Sequence, residues 1–262
     1  MKGEILMFDT HIHSNFSTDS KMKIEEASQR AQNLNIGIIV TEHMDLLYPV
    51  PDKFIFDTEA YFNEYEKIRN ERVLLGIEIG MRMDCIEESK DICIHNPFDY
   101  VIGSVHIVNG FDIYKEEYYK GRTKDEAYME YFDCMLKCIK EYDFIDSMGH
   151  IDYIARYARY DDKEIYYDRY KETIDEILKY IADNNKAIEI NTRRFNDKNA
   201  VKNLLPIYKR FSELGGRMVT IGSDAHKVQN IGDNLKTAFD MAEYCNLKVV
   251  YFKNRKLYYD KF

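Results

Sequence analysis

Six of the chain's seven histidines stand at or just beyond the end of a short apolar run that reads as a β-strand. Ile5–Phe8 leads to His11 and His13, Ile36–Val40 to His43, Tyr100–Val105 to His106, Phe144–Met148 to His150, and Met218–Ile221 to His226. Two carboxylates share the placement: Glu78 in the run Val73–Ile79, and Asp224 two residues before His226. Imidazole and carboxylate are transition-metal ligands. Bound metals can polarise a substrate and make water nucleophilic. Each motif also has an ordinary structural reading. His11-x-His13 alternates as an exposed strand would, Thr41-Glu42-His43 could be a loop, and His106, His150 and His226 could be hydrogen-bonded rim residues. Glu78 is harder to explain that way, because a carboxylate in the apolar run VLLGIEIG is costly unless paired or metal-bound. What argues for one shared site is the recurrence of these residues at matching strand ends. His95, between Ile94 and Asn96-Pro97, departs from the pattern and reads as a turn residue.

The elements that would gather such residues follow a beat of strand then helix. Spacings of three and four apolar residues predict helices over Ile24–Leu34, Thr58–Arg72, Lys124–Lys140, Lys163–Asn184, Ala200–Leu214 and Gly232–Tyr244. Ser20 and Thr58 read as start signals and Gly215-Gly216 as a stop. Strands separated by helices favour parallel βαβ units. Seven or eight such units are countable, the last strand being Lys248–Phe252. A parallel α/β barrel brings the C-terminal ends of its strands to one rim. A doubly wound open sheet, the alternative, would collect ligands only near its switch point. A chain of 262 residues, 45% hydrophobic, with four prolines and twelve glycines fits a single barrel domain over 1–262.

Composition removes other classes. The apolar runs fall short of the roughly 18 residues that span a bilayer, and MKGEILMFDTHIH has no long apolar signal region. A soluble, cytoplasmic protein without a membrane partner is expected. The five cysteines (85, 93, 134, 138 and 245) are odd in number and widely spaced, so no disulfide framework is expected. Cys134 and Cys138 fall on a helical pattern and read as a buried, reduced pair. A formal charge of −9 argues against a nucleic-acid partner. It leaves an anionic small molecule open, since bound metals would reverse the local potential.

His11-x-His13, Thr41-Glu42-His43, Glu78, Gly-Ser-Val-His106, Gly-His150-Ile-Asp152 and Gly-Ser-Asp224-Ala-His226 resemble the ordered motifs of the PHP (polymerase and histidinol phosphatase) family. The resemblance runs from about residue 7 to the C-terminus. The segments His106–Asp112 and His150–Tyr157 resemble its histidinol-phosphate phosphatase branch. The resemblance implies a distorted (β/α)7 barrel with three divalent transition-metal ions. One ion would take His11, His13, Glu78 and Asp224. A second would share Glu78 and add His106 and His150, and a third would take Asp19, His43 and His226. Asp19 enters only through the resemblance; in Ser17-Thr18-Asp19-Ser20 it reads first as a helix cap. The donor types suit zinc, manganese or iron. Glu78, Asp224 and His226 would lie nearest the chemistry.

Two such metals could hold a bridging hydroxide that attacks phosphorus. Three divalent ions set against three carboxylates and a hydroxide leave about +2, matched to the dianion of a phosphate monoester. Arginine's planar fork suits the phosphate. Arg156 and Arg193 fall towards the rim. Arg193-Arg194 departs from the small residues usual at that point of the family, and Arg159 is the substitute. The expected activity is hydrolysis of L-histidinol phosphate to L-histidinol and phosphate in histidine biosynthesis. The alternative is a PHP-type nuclease or other phosphoesterase acting on nucleotides or nucleic-acid ends, which should show a basic groove or an attached module. An amidohydrolase, which would bridge its metals with a strand-four lysine, and a non-enzymatic metal-binding regulator are weaker readings.

Overall fold

The computed structural model describes residues 7–259. Seven parallel strands follow in sequence order around a barrel: β1 (Phe8–Ile12), β2 (Gly37–Met44), β3 (Val73–Gly80), β4 (Tyr100–Ser104), β5 (Ser147–Met148), β6 (Ala187–Asn191) and β7 (Met218–Gly222). Each pairs with the next. The ring closes where β1 meets the segment beyond β7. The Asp224 N–H donates to the His11 carbonyl at 2.7 Å, and the His13 N–H donates to the Ala225 carbonyl at 2.9 Å. At its other end β7 pairs with β8 (Lys248–Lys253), which carries an antiparallel strand β9 (Lys256–Tyr259). Neighbours in sequence are therefore neighbours in the sheet, and the order reversal that a doubly wound sheet requires is absent from the described residues.

Side chains alternate along a strand, so every second residue faces the interior. On β2 these are Ile39, Thr41 and His43; on β3 Leu74, Gly76 and Glu78; on β6 Ala187, Glu189 and Asn191. The lower interior is apolar. Phe8, Ile39, Leu74, Tyr100, Ile102 and Ala187 pack there with Val250 and Phe252 of β8. The same strands turn polar at their C-terminal ends. In β1 the register shifts between Asp9 and Ile12, and this irregularity lets Phe8 fill the floor while His11 and His13 face the rim. Helices cover the outside: α1 (Ile24–Leu34), α2 (Thr58–Tyr65), α3 (Ile86–His95), α4 (Lys124–Glu141), α5 (Tyr153–Tyr157), α6 (Lys171–Asp183), α7 (Lys198–Glu213) and α8 (Leu235–Tyr244). No helix among the described residues is long and apolar enough to cross a membrane.

Several sequence expectations are corrected. The strand expected at Ile5–Phe8 begins at residues 5 and 6, outside the described residues, and the observed β1 runs through His11. Likewise β2 runs through His43 instead of stopping at Val40. His95 is not a turn residue but the last residue of α3, exposed and 2.8 Å from Asp91 one turn back. α1 is capped at Lys23 and α2 at Asp57, whose side chain accepts from the Ala60 N–H. Ser20 instead donates to the His13 and His226 carbonyls, at 3.1 and 3.2 Å. α2 is shorter than Thr58–Arg72, and α6 starts at Lys171 after a 3-10 turn. All five cysteines are free; Cys138 is buried and Cys134 half-buried.

The closing seam tolerates little. A Cβ on Gly222 would overlap the His11 Cβ and the Glu189 Oε1. Overpacking of this kind costs about 1–3 kcal/mol, and roughly 2–4 °C of Tm accompanies each kcal/mol in a domain of this size. Gly222→Ala is therefore expected to lower Tm by about 2–12 °C in circular dichroism melting. An unchanged Tm would show that the seam relaxes freely.

Candidate metal centre and substrate cleft

Glu78 ends the inner face of β3 with no solvent exposure. Imidazoles from four other strand ends surround it. Its Oε1 lies 2.9 Å from His150 Nε2 and 3.3 Å from His106 Nε2. Its Oε2 lies 3.3 Å from His11 Nε2, 3.5 Å from His13 Nε2 and 2.8 Å from His43 Nδ1. Asp224 stands 3.4 Å from His13 Nε2, on a backbone with φ of 54° that aspartate tolerates better than most residues. Asp19 reaches the cluster from the β1–α1 loop, with His226 Nε2 at 3.1 Å and His43 Nε2 at 3.7 Å. The structure thus brings together all nine residues that the sequence singled out as ligands, and it leaves His95 outside.

The rings are held by their far nitrogens. His11 Nδ1 meets Glu189 Oε1 at 2.7 Å, His106 Nδ1 meets Asp45 Oδ1 at 2.8 Å, and His13 Nδ1 meets Ser17 Oγ at 3.0 Å. Such outer partners fix ring orientation and tautomer in metal sites. Glu189 is fully buried; it also accepts from the His150 N–H at 2.7 Å and from Asn191. Neither Glu189 nor Asp45 was among the sequence candidates. Glu189 carried the same signal as Glu78, a carboxylate inside an apolar strand (AIEIN), while Asp45 gave no signal beyond its nearness to His43.

The donors fit a metal. His11 Nε2, His13 Nε2 and His43 Nδ1 crowd buried against Glu78 Oε2 at 3.3, 3.5 and 2.8 Å without hydrogen-bond geometry. Such groups are costly unless something binds them. Four triads have donor atoms within 4.8 Å of one another: His13, His43 and His226; His11, His13 and Asp224; His43, Asp45 and His106; Glu78, His106 and His150. Protonation without metal is uneven. Burial raises the carboxyls of Glu78 and Asp224, but neighbouring cations outweigh it: His11 and His106 for Glu78, Arg156 and His11 for Asp224. Both carboxyls end well below the usual range. Burial depresses His11 and His106, yet Glu189 and Asp45 respectively, with Glu78, lift both well above the ordinary imidazole value. His13, stacked between His43 at 4.1 Å and His226 at 4.2 Å, is held well below it by burial and those rings.

The four rim arginines separate. Arg156, on α5, has a side chain only 6% exposed; one Nη donates to Asp224 Oδ2, while its Nε and other Nη lack partners. Arg193 Nη1 donates to the Asp224 carbonyl at 2.8 Å. Arg194 is taken up by Asp152 and Glu164, and Arg159 spends its donors on the Tyr157 and Tyr114 carbonyls. A cleft of about 290 Å³ opens onto the centre. Asp19, His43, Asp45 and His106 form one wall, and Tyr48, Phe54, Asp112, Tyr114, Lys115, Tyr153 and Tyr157 the rest. A larger cleft, about 950 Å³, also reaches Arg156, Tyr157 and Arg193, and most of its remaining lining is charged or polar.

The PHP domain family matches residues 9–193. The chain is 54% identical over 254 residues to a probable histidinol-phosphatase of Clostridium acetobutylicum, covering 97% of this chain and 100% of that one. It is 33% identical over 225 residues to the histidinol-phosphatase of Lactococcus lactis, covering 83% of each. The crystal structure of the Lactococcus lactis histidinol phosphate phosphatase, complexed with zinc, L-histidinol and phosphate, superimposes with a TM-score of 0.90 at 30% identity. The match covers 97% of this chain and 100% of that one.

If Glu189 anchors His11 and His150, Glu189→Gln should weaken divalent-metal binding by about 10–100-fold. Calorimetric titration of the metal-free protein checks this. Affinity within twofold of wild type would reduce Glu189 to a packing residue.

Proposed function

The chain belongs to the PHP domain family, and on that premise we propose that it is a metal-dependent histidinol-phosphatase. It hydrolyses L-histidinol phosphate to L-histidinol and phosphate, acting in the cytoplasm in histidine biosynthesis. The observation that carries the proposal is the buried cluster of unpartnered imidazole and carboxylate donors around Glu78, with two guanidiniums on one side and a small aromatic cleft on the other. The histidinol-phosphatase relatives support the substrate.

Three divalent ions of zinc, manganese or iron are proposed. His11, His13, Glu78 and Asp224 would hold one, Glu78, His106 and His150 the second, and Asp19, His43 and His226 the third. When bound, such ions supply positive charge against the phosphoryl oxygens and acidify water into a nucleophile near neutral pH. The rest is the protein's own contribution. Glu78 faces His106 and His150 with one oxygen and His11, His13 and His43 with the other, so it can organise both halves of the centre. Arg156 and Arg193 are proposed as the phosphate clamp. Both already converge on Asp224, and the unpartnered Nε and Nη2 of Arg156 offer a planar pair of donors. Burial of the cluster excludes water and strengthens each of these charge interactions.

Elemental analysis of protein produced with supplemented metals is expected to approach about three transition-metal ions per chain, one for each proposed donor set. A saturated value of one or fewer would overturn the cluster. On a panel of esters, L-histidinol phosphate should show a kcat/KM at least about tenfold above aryl and sugar phosphates, with single-stranded DNA barely cut. The lost charge-assisted contact in Arg156→Ala should raise KM about tenfold to a hundredfold. The comparison is made at full metal content, so that the loss reports on phosphate and not on Asp224. Preference for nucleotides or DNA ends would replace the phosphatase reading with the nuclease one.

A further inference from the structure

Glu42 stands between Thr41 and His43 on β2 and, by the alternation of the strand, points away from the metal centre. It is fully buried, and its hydrogen-bond donors are all neutral. The Ser14 N–H lies 3.1 Å from each carboxylate oxygen, the Ser14 hydroxyl donates to Oε1, and the Ser17 hydroxyl donates to Oε2 at 2.5 Å. The Tyr65 hydroxyl backs Ser14 from 2.6 Å. Burial lifts the Glu42 carboxyl, and these donors oppose it. A buried carboxylate with no cation beside it is costly, and an apolar side chain would pack this outer face of β2 at less expense. What the carboxylate adds is an acceptor held in one place.

That acceptor decides where the proton of His13 sits. The Ser17 hydroxyl has one proton and two lone pairs. The His43 N–H, which can only donate, takes one lone pair at 3.1 Å. Two oxygens 2.5 Å apart need a proton between them, and an ionised carboxylate has none to give, so Ser17 turns its proton to Glu42. The second lone pair is left facing His13 Nδ1 at 3.0 Å, and the ring nitrogen must be the donor. A neutral His13 therefore carries its proton on Nδ1. Its Nε2 keeps a lone pair towards Asp224 and Glu78, 3.4 and 3.5 Å away. We propose that Glu42 is a positioning residue that acts through Ser17 to fix the tautomer of His13, leaving Nε2 free to bind a metal. This rests on the metal-dependent reading above and deepens it: His11 and His106 meet their outer carboxylates directly, whereas His13 meets one through a hydroxyl.

The test reads the tautomer directly, by long-range proton–nitrogen correlation on the full chain labelled with 15N-histidine. The metal-free protein is held at about pH 8, above the ordinary carboxyl and imidazole values, and the His13 signals are assigned by their loss in His13→Asn. Wild type is expected to show Nδ1 protonated and Nε2 bare; the reverse overturns the proposal and needs no variant to fold. In Ser17→Ala nothing accepts from Nδ1–H, and in Glu42→Gln the amide can offer Ser17 a donor as well as an acceptor. Both variants should therefore populate the Nε2–H form, and a ring that stays wholly Nδ1–H in both overturns the role of Glu42. A chelator titration of the zinc-loaded chain supplies the second readout. Ser17→Ala should lose zinc about 10–100-fold more readily than wild type, and affinity within about twofold overturns the link to the metal. Wild type with the expected tautomer that takes up no zinc would overturn the metal centre, and the proposal with it, whereas the wrong tautomer with zinc uptake intact would overturn the Glu42 proposal alone.

Discussion

A carboxylate with no access to water, Glu78, sits at the meeting point of imidazoles from the ends of β1, β2, β4 and β5. Its charge must be offset from within the protein or by something bound, because solvent cannot do it. The rim is arranged around that requirement. His11 and His106 are turned inward by their own outer carboxylates, Glu189 and Asp45, which raise the basicity of the rings that face Glu78. Burial and the two imidazoles stacked on it hold His13 below the ordinary imidazole value, so it offers less positive charge to Glu78. Protonated histidines are thus only a partial answer, and the unpartnered nitrogens are where a harder cation would complete it.

The same residues that carry this charge also close the fold. The carbonyl of His11 and the N–H of His13 make the hydrogen bonds that join β1 to the turn bearing Asp224. A barrel that failed to close there would separate His11 and His13 from Asp224. The approach is so tight that the His11 Cβ and the Glu189 carboxylate occupy the place where a Cβ on Gly222 would go. At the other end β8 pairs with the start of β7, and its Tyr251 ring stacks on Phe8 at 4.1 Å. β7 is therefore held to β8 at its base and to β1 at its top, and the barrel departs from regularity at this strand.

Much of this could be read from the chain because the strand pattern is regular. Alternation along β2 and β3 puts His43 and Glu78 on the inner face once the apolar residues before them are assigned to the floor, and the turns after β4, β5 and β7 announce their histidines with small residues. What was missed has physical causes. Glu189 carries the same signal as Glu78, a carboxylate inside an apolar strand; what the spacing does not show is that it lies behind the His11 ring, 2.7 Å from Nδ1. Asp19 is part-exposed on a loop, and only the path of that loop brings it to His226. Arg156, Arg159, Arg193 and Arg194 all fall near the rim in sequence; side-chain direction and competing partners sort them, and neither is encoded by spacing. The predicted helix over Lys163–Asn184 began too early because Ile165, buried in a loop, continued the apolar pattern that truly starts at Tyr170.

The charge balance expected from the ligands alone also changes its basis. Asp45 and Glu189 add two carboxylates to it, and Arg156 and Arg193 add two guanidiniums, so a centre with three divalent ions still stands near +2. What the sequence count could not show is how the charge is distributed. The guanidiniums lie on the Asp224 side, whereas the aromatic cleft carries Asp19, Asp45 and Asp112 against a single lysine, Lys115. The site is therefore polarised: one side suits an anion and the other a cation. A phosphodiester chain, anionic in both directions from the bond to be cut, would place one neighbouring phosphate against Asp112, where like charges repel at low dielectric. A monoester whose alcohol carries a positive charge meets the opposite sign on both sides. Polarity across the centre, more than its total charge, is what separates the phosphatase from the nuclease in this barrel.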